Sequence, residues 1–74
     1  MKPHLEKRSL TLSGHRTSLA LEPEFWSALE TLAHAQNTQL TTLITEQDTT
    51  RPPETPLASH LRRLTLTAAL NRKI

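Results

Sequence analysis

The 74-residue chain has no cysteine, so neither a disulfide framework nor a thiolate metal site can stabilise it. A chain of this length buries only about 60% of the surface its unfolded form exposes. Oligomerisation is the remaining remedy and is expected here. The absence of cysteine also fits a reducing cytoplasm. No apolar run approaches the ~20 residues that span a bilayer. The opening MKPHLEKRSL has charges but no apolar stretch of the kind that marks a signal peptide, and a cytoplasmic protein is expected. With Gly14 as its single glycine, the chain has no Gly-rich phosphate loop. No nucleophile elbow surrounds Ser13 or Ser18, so an enzyme is not expected. Phe25 and Trp26 are the only aromatic side chains, and large apolar anchors are scarce.

Residues 17 to 50 also lack Lys and Arg altogether, while holding Glu22, Glu24, Glu30, Glu46 and Asp48. The cations lie at the two ends. Lys2, Lys7, Arg8 and Arg16 stand against Glu6 before this segment, and Arg51, Arg62, Arg63, Arg72 and Lys73 against Glu54 after it. A basic amino-terminal arm ahead of an acidic middle suggests an anionic partner for the arm. The acidic middle would repel such a partner wherever it faced it. His4, His15, His34 and His60 show no i, i+4 pairing and have no cysteine beside them, so no zinc site and no cofactor is expected.

The periodicity divides the chain into a flexible basic arm at 1–7, a core at 8–48, a Pro-rich linker at 49–56 and a last helix at 57–74. Leu10 and Leu12 alternate with polar neighbours. After Gly14-His15, Thr17, Leu19 and Leu21 fall on one face and Arg16, Ser18 and Ala20 on the other, the two-residue period of a half-buried strand. The Gly-His break reads equally as a tight hairpin turn or as a bulge in one longer strand. Glu22-Pro23-Glu24 starts a helix: proline suits its first turn, and the two acids favour the positive end of the dipole. Phe25, Leu29, Leu32 and Ala33 form its apolar stripe. It should close near Gln36-Asn37, since asparagine tolerates the left-handed conformation. Thr38 or Gln39 then begins a second helix carrying Leu40, Leu43 and Ile44. Its threonines have poor helix propensity, so packing must hold it. Thr55-Pro56 opens a third helix with the stripe Leu57, Leu61, Leu64 and Ala68, and with Leu66 and Leu70 on a neighbouring line. Arg72 and Lys73 suit its negative end. Phe25 reads as core. Trp26, its neighbour, reads as a dimer-interface or edge residue packing on the third helix.

Strand, helix, Asn-containing turn and second helix is the order found in the ribbon-helix-helix repressors. Arg16-Thr-Ser-Leu-Ala-Leu-Glu-Pro-Glu-Phe-Trp, then Leu29-Glu-Thr-Leu-Ala33, then Leu40 to Ile44, resembles the core of that (Arc- and methionine-repressor-like) superfamily. The longer stretch from Lys7 to Trp26, with the trailing Leu57-Ala-Ser-His-Leu-Arg-Arg-Leu, is similar to a small bacterial subfamily with an extra C-terminal helix. The resemblance covers most of residues 7 to 70. It implies a mostly α fold with a short β-strand, in an intertwined homodimer whose two strands form an antiparallel ribbon. Elementary physics points the same way: a lone strand leaves both edges unpaired, and pairing with its copy satisfies one of them.

In that family the outward strand residues enter the DNA major groove. Carried onto this chain, the base-contacting positions are Arg16, Ser18 and Ala20. Arginine can bond guanine bidentately, serine discriminates less, and alanine can touch only a thymine methyl. The resemblance also implies phosphate contacts from Lys7, Arg8 and His15, and from the start of the second helix at Thr38, Gln39, Leu40 and Thr41, where free N–H groups favour an anion. A poor cap at Gln39 throws most of the phosphate attraction onto the arm, including Lys2. The implied dimer core is Leu19, Leu21, Phe25, Leu29, Leu32, Leu40, Leu43 and Ile44. The expected function is therefore a DNA-binding transcriptional regulator. The alternative is a dimeric protein-interaction module, antitoxin- or adaptor-like, binding its partner through Leu57–Leu70 or the acidic middle.

Overall fold

A computed structural model describes residues 4–72 and 74; Lys2 and Lys73 lie outside the described residues. Strand β1 (Glu6–Leu12) and strand β2 (His15–Leu21) form an antiparallel pair, followed by helices α1 (Pro23–Ala35), α2 (Leu40–Thr50) and α3 (Leu57–Leu70). The break at Gly14 is thus a hairpin and not a bulge. Leu12 faces His15 across a two-residue turn, and Ser13 and Gly14 both have positive φ, 53° and 82°. Two consecutive left-handed residues twist with the strands they join. β1 begins at Glu6, inside the segment expected to be a flexible arm.

α1 starts without a side-chain cap. The Glu22 carbonyl accepts the first helical bonds, from Phe25 and Trp26 N–H, and Pro23 supplies a φ already suited to a helix. The helix closes as expected at Asn37, whose φ is 54°. Asn37 N–H donates to the His34 carbonyl and Thr38 N–H to the Ala33 carbonyl, both at 3.0 Å, so orphan carbonyls of the last turn are satisfied. In α2 the threonine hydroxyls bond back along the helix: Thr45 to the Thr41 carbonyl at 2.8 Å and Thr49 to the Thr45 carbonyl at 3.0 Å. That satisfies the polar groups while leaving Leu43 and Ile44 to pack inward. Arg51 fixes the turn to α3, with its Nε–H on Asp48 at 2.9 Å and an Nη1–H on the Thr55 carbonyl at 2.7 Å.

The core gathers Leu12, Leu19, Leu21, Trp26, Leu29, Leu32, Leu43, Ile44 and Leu61 from every element. Of the residues expected in a core shared by two chains, Leu19, Leu21, Leu29, Leu32, Leu43 and Ile44 are buried within the single chain, and Phe25 and Leu40 are half-buried against them. β1 and α3 add to this core, with Leu12 from the first and Leu61, Thr65 and Ala68 from the second. One expectation is corrected: Phe25 and Trp26 exchange roles. Trp26 is buried beneath β1, its Nε1–H donating to the Glu6 carbonyl at 2.8 Å, whereas Phe25 is half-buried beside α3. An inward Trp needs an acceptor for its N–H, and β1 provides one.

Candidate nucleic-acid interface

The hairpin register decides which side chains can act together. Lys7 faces Ala20, Ser9 faces Ser18 and Thr11 faces Arg16. Side chains alternate along a strand, so these six share the face turned away from the helices. Five are exposed, and Ala20 is half-buried. No carboxylate lies among these six residues, which carry the cations Lys7 and Arg16 and three hydroxyls. An Arg16 guanidinium N–H reaches the Thr11 hydroxyl at 3.4 Å, the only hydrogen bond from Arg16 among the described residues. His15 is exposed beside the turn.

Arg8, expected among the phosphate contacts, belongs to the opposite face. It bonds Glu6 and Glu30 and stacks on the Trp26 ring, with 4.4 Å from guanidinium to ring centroid. The hydrogen bond to Glu6, reinforced by Glu30, raises its pKa above the ordinary arginine value. Period two separates it from Lys7: adjacent residues point to opposite faces. Thr38, Gln39, Leu40 and Thr41 lie on a separate element, at the start of α2. Gln39 caps that helix in an extended conformation without a side-chain hydrogen bond, so the first-turn N–H groups have no side-chain partner.

The sequence expectation leaves out Ser9 and Thr11. Their signal is the same alternation that marks Leu10 and Leu12, but it has meaning only once the Ser13-Gly14 turn is known to fold β1 back. The free edge of β2 follows from the turn as well. The pair flanking a two-residue turn is hydrogen-bonded, and bonded pairs alternate with unbonded ones. Arg16, Ser18 and Ala20 therefore direct their backbone N–H and C=O groups away from β1. A groove of ≈ 570 Å³ runs beside these residues, bounded across from β2 by Asp48, Arg51 and Leu57.

Three of the five acids of the middle segment pair with cations of the basic flanks. Glu30 pairs with Arg8 at 3.2 Å, Asp48 with Arg51 at 2.9 Å and Glu22 with Arg62 at 2.9 Å. The Glu22 carboxyl sits below its usual pKa, first through a hydrogen bond from its own backbone N–H and then through Arg62. Such partly exposed pairs add little stability, but they keep most of the negative charge beside cations and off the outer hairpin face.

The described residues thus form a two-stranded antiparallel ribbon with cationic outer side chains, backed by two helices joined at an Asn turn and by a third helix. The family model described as the ribbon-helix-helix domain matches residues 5–69, and the chain belongs to that family. Proteins of the family generally form dimers and bind DNA, typically as transcriptional regulators or antitoxins. The chain is also similar to the solved structure of an uncharacterized protein from Bordetella pertussis Tohama I. The two are 30% identical with a TM-score of 0.76, over 92% of this chain and 58% of that one, so this chain spans little more than half of its neighbour's length. No curated protein matches it.

Proposed function

We propose that the chain is a sequence-specific DNA-binding regulator that acts as a homodimer. Two copies join antiparallel along the free edges of β2, and the joined strands enter the major groove. Arg16 bonds a guanine, Ser18 donates or accepts at a base edge, and Ala20 packs on a thymine methyl. Lys7 contacts phosphates from this face, as do the N–H groups at the start of α2 from Thr38 to Thr41, whereas His15, paired with the buried Leu12, falls on the opposite face of β2. The observation that carries this reading is the outer hairpin face: cations and hydroxyls, no carboxylate, and an Arg16 held by one weak internal contact. The test is fluorescence anisotropy with duplex DNA from the gene's own locus, titrated with salt. Saturable binding that weakens steeply with salt is expected, and Arg16→Ala should remove about 1–3 kcal/mol of it and relax sequence preference. Unchanged affinity and preference in Arg16→Ala would remove Arg16 from the reading.

One observation favours the second reading, a protein-interaction module. Leu66 and Leu70 on α3 are 58% and 74% exposed, and Leu66 borders an apolar groove with Phe25, Ala28 and Ala69. α3 carries Arg62 and Arg63 and no acid, which suits an amphipathic helix with an acidic flank. Absence of DNA binding at low salt would transfer the function to this groove.

A further inference from the structure

The presence of β1 changes what a pair of these chains would present to DNA, and this inference rests on the dimeric reading above. Two hairpins joined along β2 make four strands in the order β1-β2-β2-β1. Strand axes lie about 4.8 Å apart, so the two β1 strands are separated by about 14 Å. The major groove is about 12 Å wide and admits two strands, not four. The central β2 strands fit its floor. The β1 strands fall over its walls, where the sugar–phosphate backbones run.

The chemistry of β1 suits that position. Its outward side chains are Lys7, Ser9 and Thr11, all exposed and all able to donate a hydrogen bond. The acid of the strand, Glu6, is on the inner face beside Arg8. Hydroxyls and an ammonium are donors that grip phosphate without reading sequence. We propose that β1 is a phosphate-gripping rail: Lys7, Ser9 and Thr11 hold the two walls of the groove and set the depth at which Arg16, Ser18 and Ala20 meet the bases. Thr11, which accepts from Arg16, would also aim that side chain.

The test uses the full chain and duplexes selected from a randomised pool. Affinity is measured across salt for the wild type, Lys7→Gln, Ser9→Ala with Thr11→Val, and Arg16→Ala. The changed side chains are exposed, and circular dichroism checks that each variant keeps its fold. Lys7→Gln should lower the slope of log K against log salt by about 2 per dimer, one phosphate per chain, and leave the ranking of sequences unchanged. The double hydroxyl variant should weaken every duplex by a similar factor. Arg16→Ala should reorder the ranking. A Lys7→Gln variant that reorders sequences at constant slope overturns the rail and puts β1 on the groove floor, as a single hairpin would place it. Variants of β1 that bind like the wild type overturn it as well, while leaving the base-reading role of β2 intact. A wild type that binds no duplex at low salt sinks the DNA reading and the rail together.

Discussion

Lys7 and Arg8 are neighbours in sequence and opposites in use. One faces outward with no internal ion pair among the described residues; the other is stacked on Trp26 and held by Glu6 and Glu30. Trp26 is the better measure of what this contact set is worth. Trp26→Phe keeps most of the apolar volume but removes the N–H that satisfies the Glu6 carbonyl at 2.8 Å, and should cost about 1–3 kcal/mol. Trp26→Ala should cost about 3–5 kcal/mol. Urea titration followed by circular dichroism checks both, since either change removes the chain's only tryptophan. A cost near zero for Trp26→Phe would mean that the indole N–H bond carries nothing. The exchange between Phe25 and Trp26 was illegible in the sequence for a physical reason. Spacing from Phe25 gives an apolar stripe through Leu29, Leu32 and Ala33, and spacing from Trp26 gives one through the same three residues. Choosing between them required the strand that accepts the indole proton. Glu22 adds a pH dependence. Its carboxyl pKa is lowered in the folded chain, so the stability it contributes is present above the unfolded value of 4.5 and is lost as pH falls through the lower folded value. Glu22→Gln should flatten that acid-range loss in a thermal-melt series, and an unchanged profile would show that neither the bond from its own backbone N–H nor the pair with Arg62 is felt.

Among the elements, the hairpin and α3 separate what sequence reveals from what it conceals. The second strand, the Pro23 start, the Asn37 stop and the α3 stripe were legible, because each rests on local chemistry: alternation, a fixed φ, a tolerated left-handed residue, a 3.6-residue period. The first strand was not, because Ser13-Gly14 permits more than one local geometry and only its pairing partner settles which is adopted. The turn gives a direct check. Asparagine adopts positive φ more readily than serine, so Ser13→Asn should raise stability by a few tenths of a kcal/mol, whereas Gly14→Ala should cost about 1 kcal/mol at its φ of 82°. Nothing lies within 4 Å of a Cβ added at Gly14, so the cost is backbone strain alone. A stable Gly14→Ala variant would contradict the turn geometry. α3 is more than an appendage. Leu61 is fully buried, and Arg62 ties the helix to the start of α1. Ending the chain before Leu57 should expose the apolar faces of α1 and α2 and give either loss of helical signal or association into larger species. A well-folded truncated chain of unchanged oligomeric state would return α3 to a dispensable role.

For the whole molecule, the question is whether folding and pairing are one event. In an obligate dimer the core is shared, and no folded single chain survives dilution. Here Leu21, Leu29, Leu43, Ile44 and Leu61 are all buried inside one chain, so the two events should separate. On dilution, sedimentation should pass from two copies to one while the helical circular dichroism stays constant. DNA affinity should fall with the loss of the pair, because a lone hairpin presents half of the proposed reading surface. Leu19→Asp, which places an unpaired charge at a site only 5% exposed, should unfold the single chain itself. Signals that disappear together on dilution would instead show a core completed only by the second copy. Separation has a functional consequence. If the chain folds alone and pairs only above a threshold concentration, occupancy of a two-copy site rises more steeply than protein concentration. The protein's own abundance then sets when the DNA is bound, with no ligand needed to switch it.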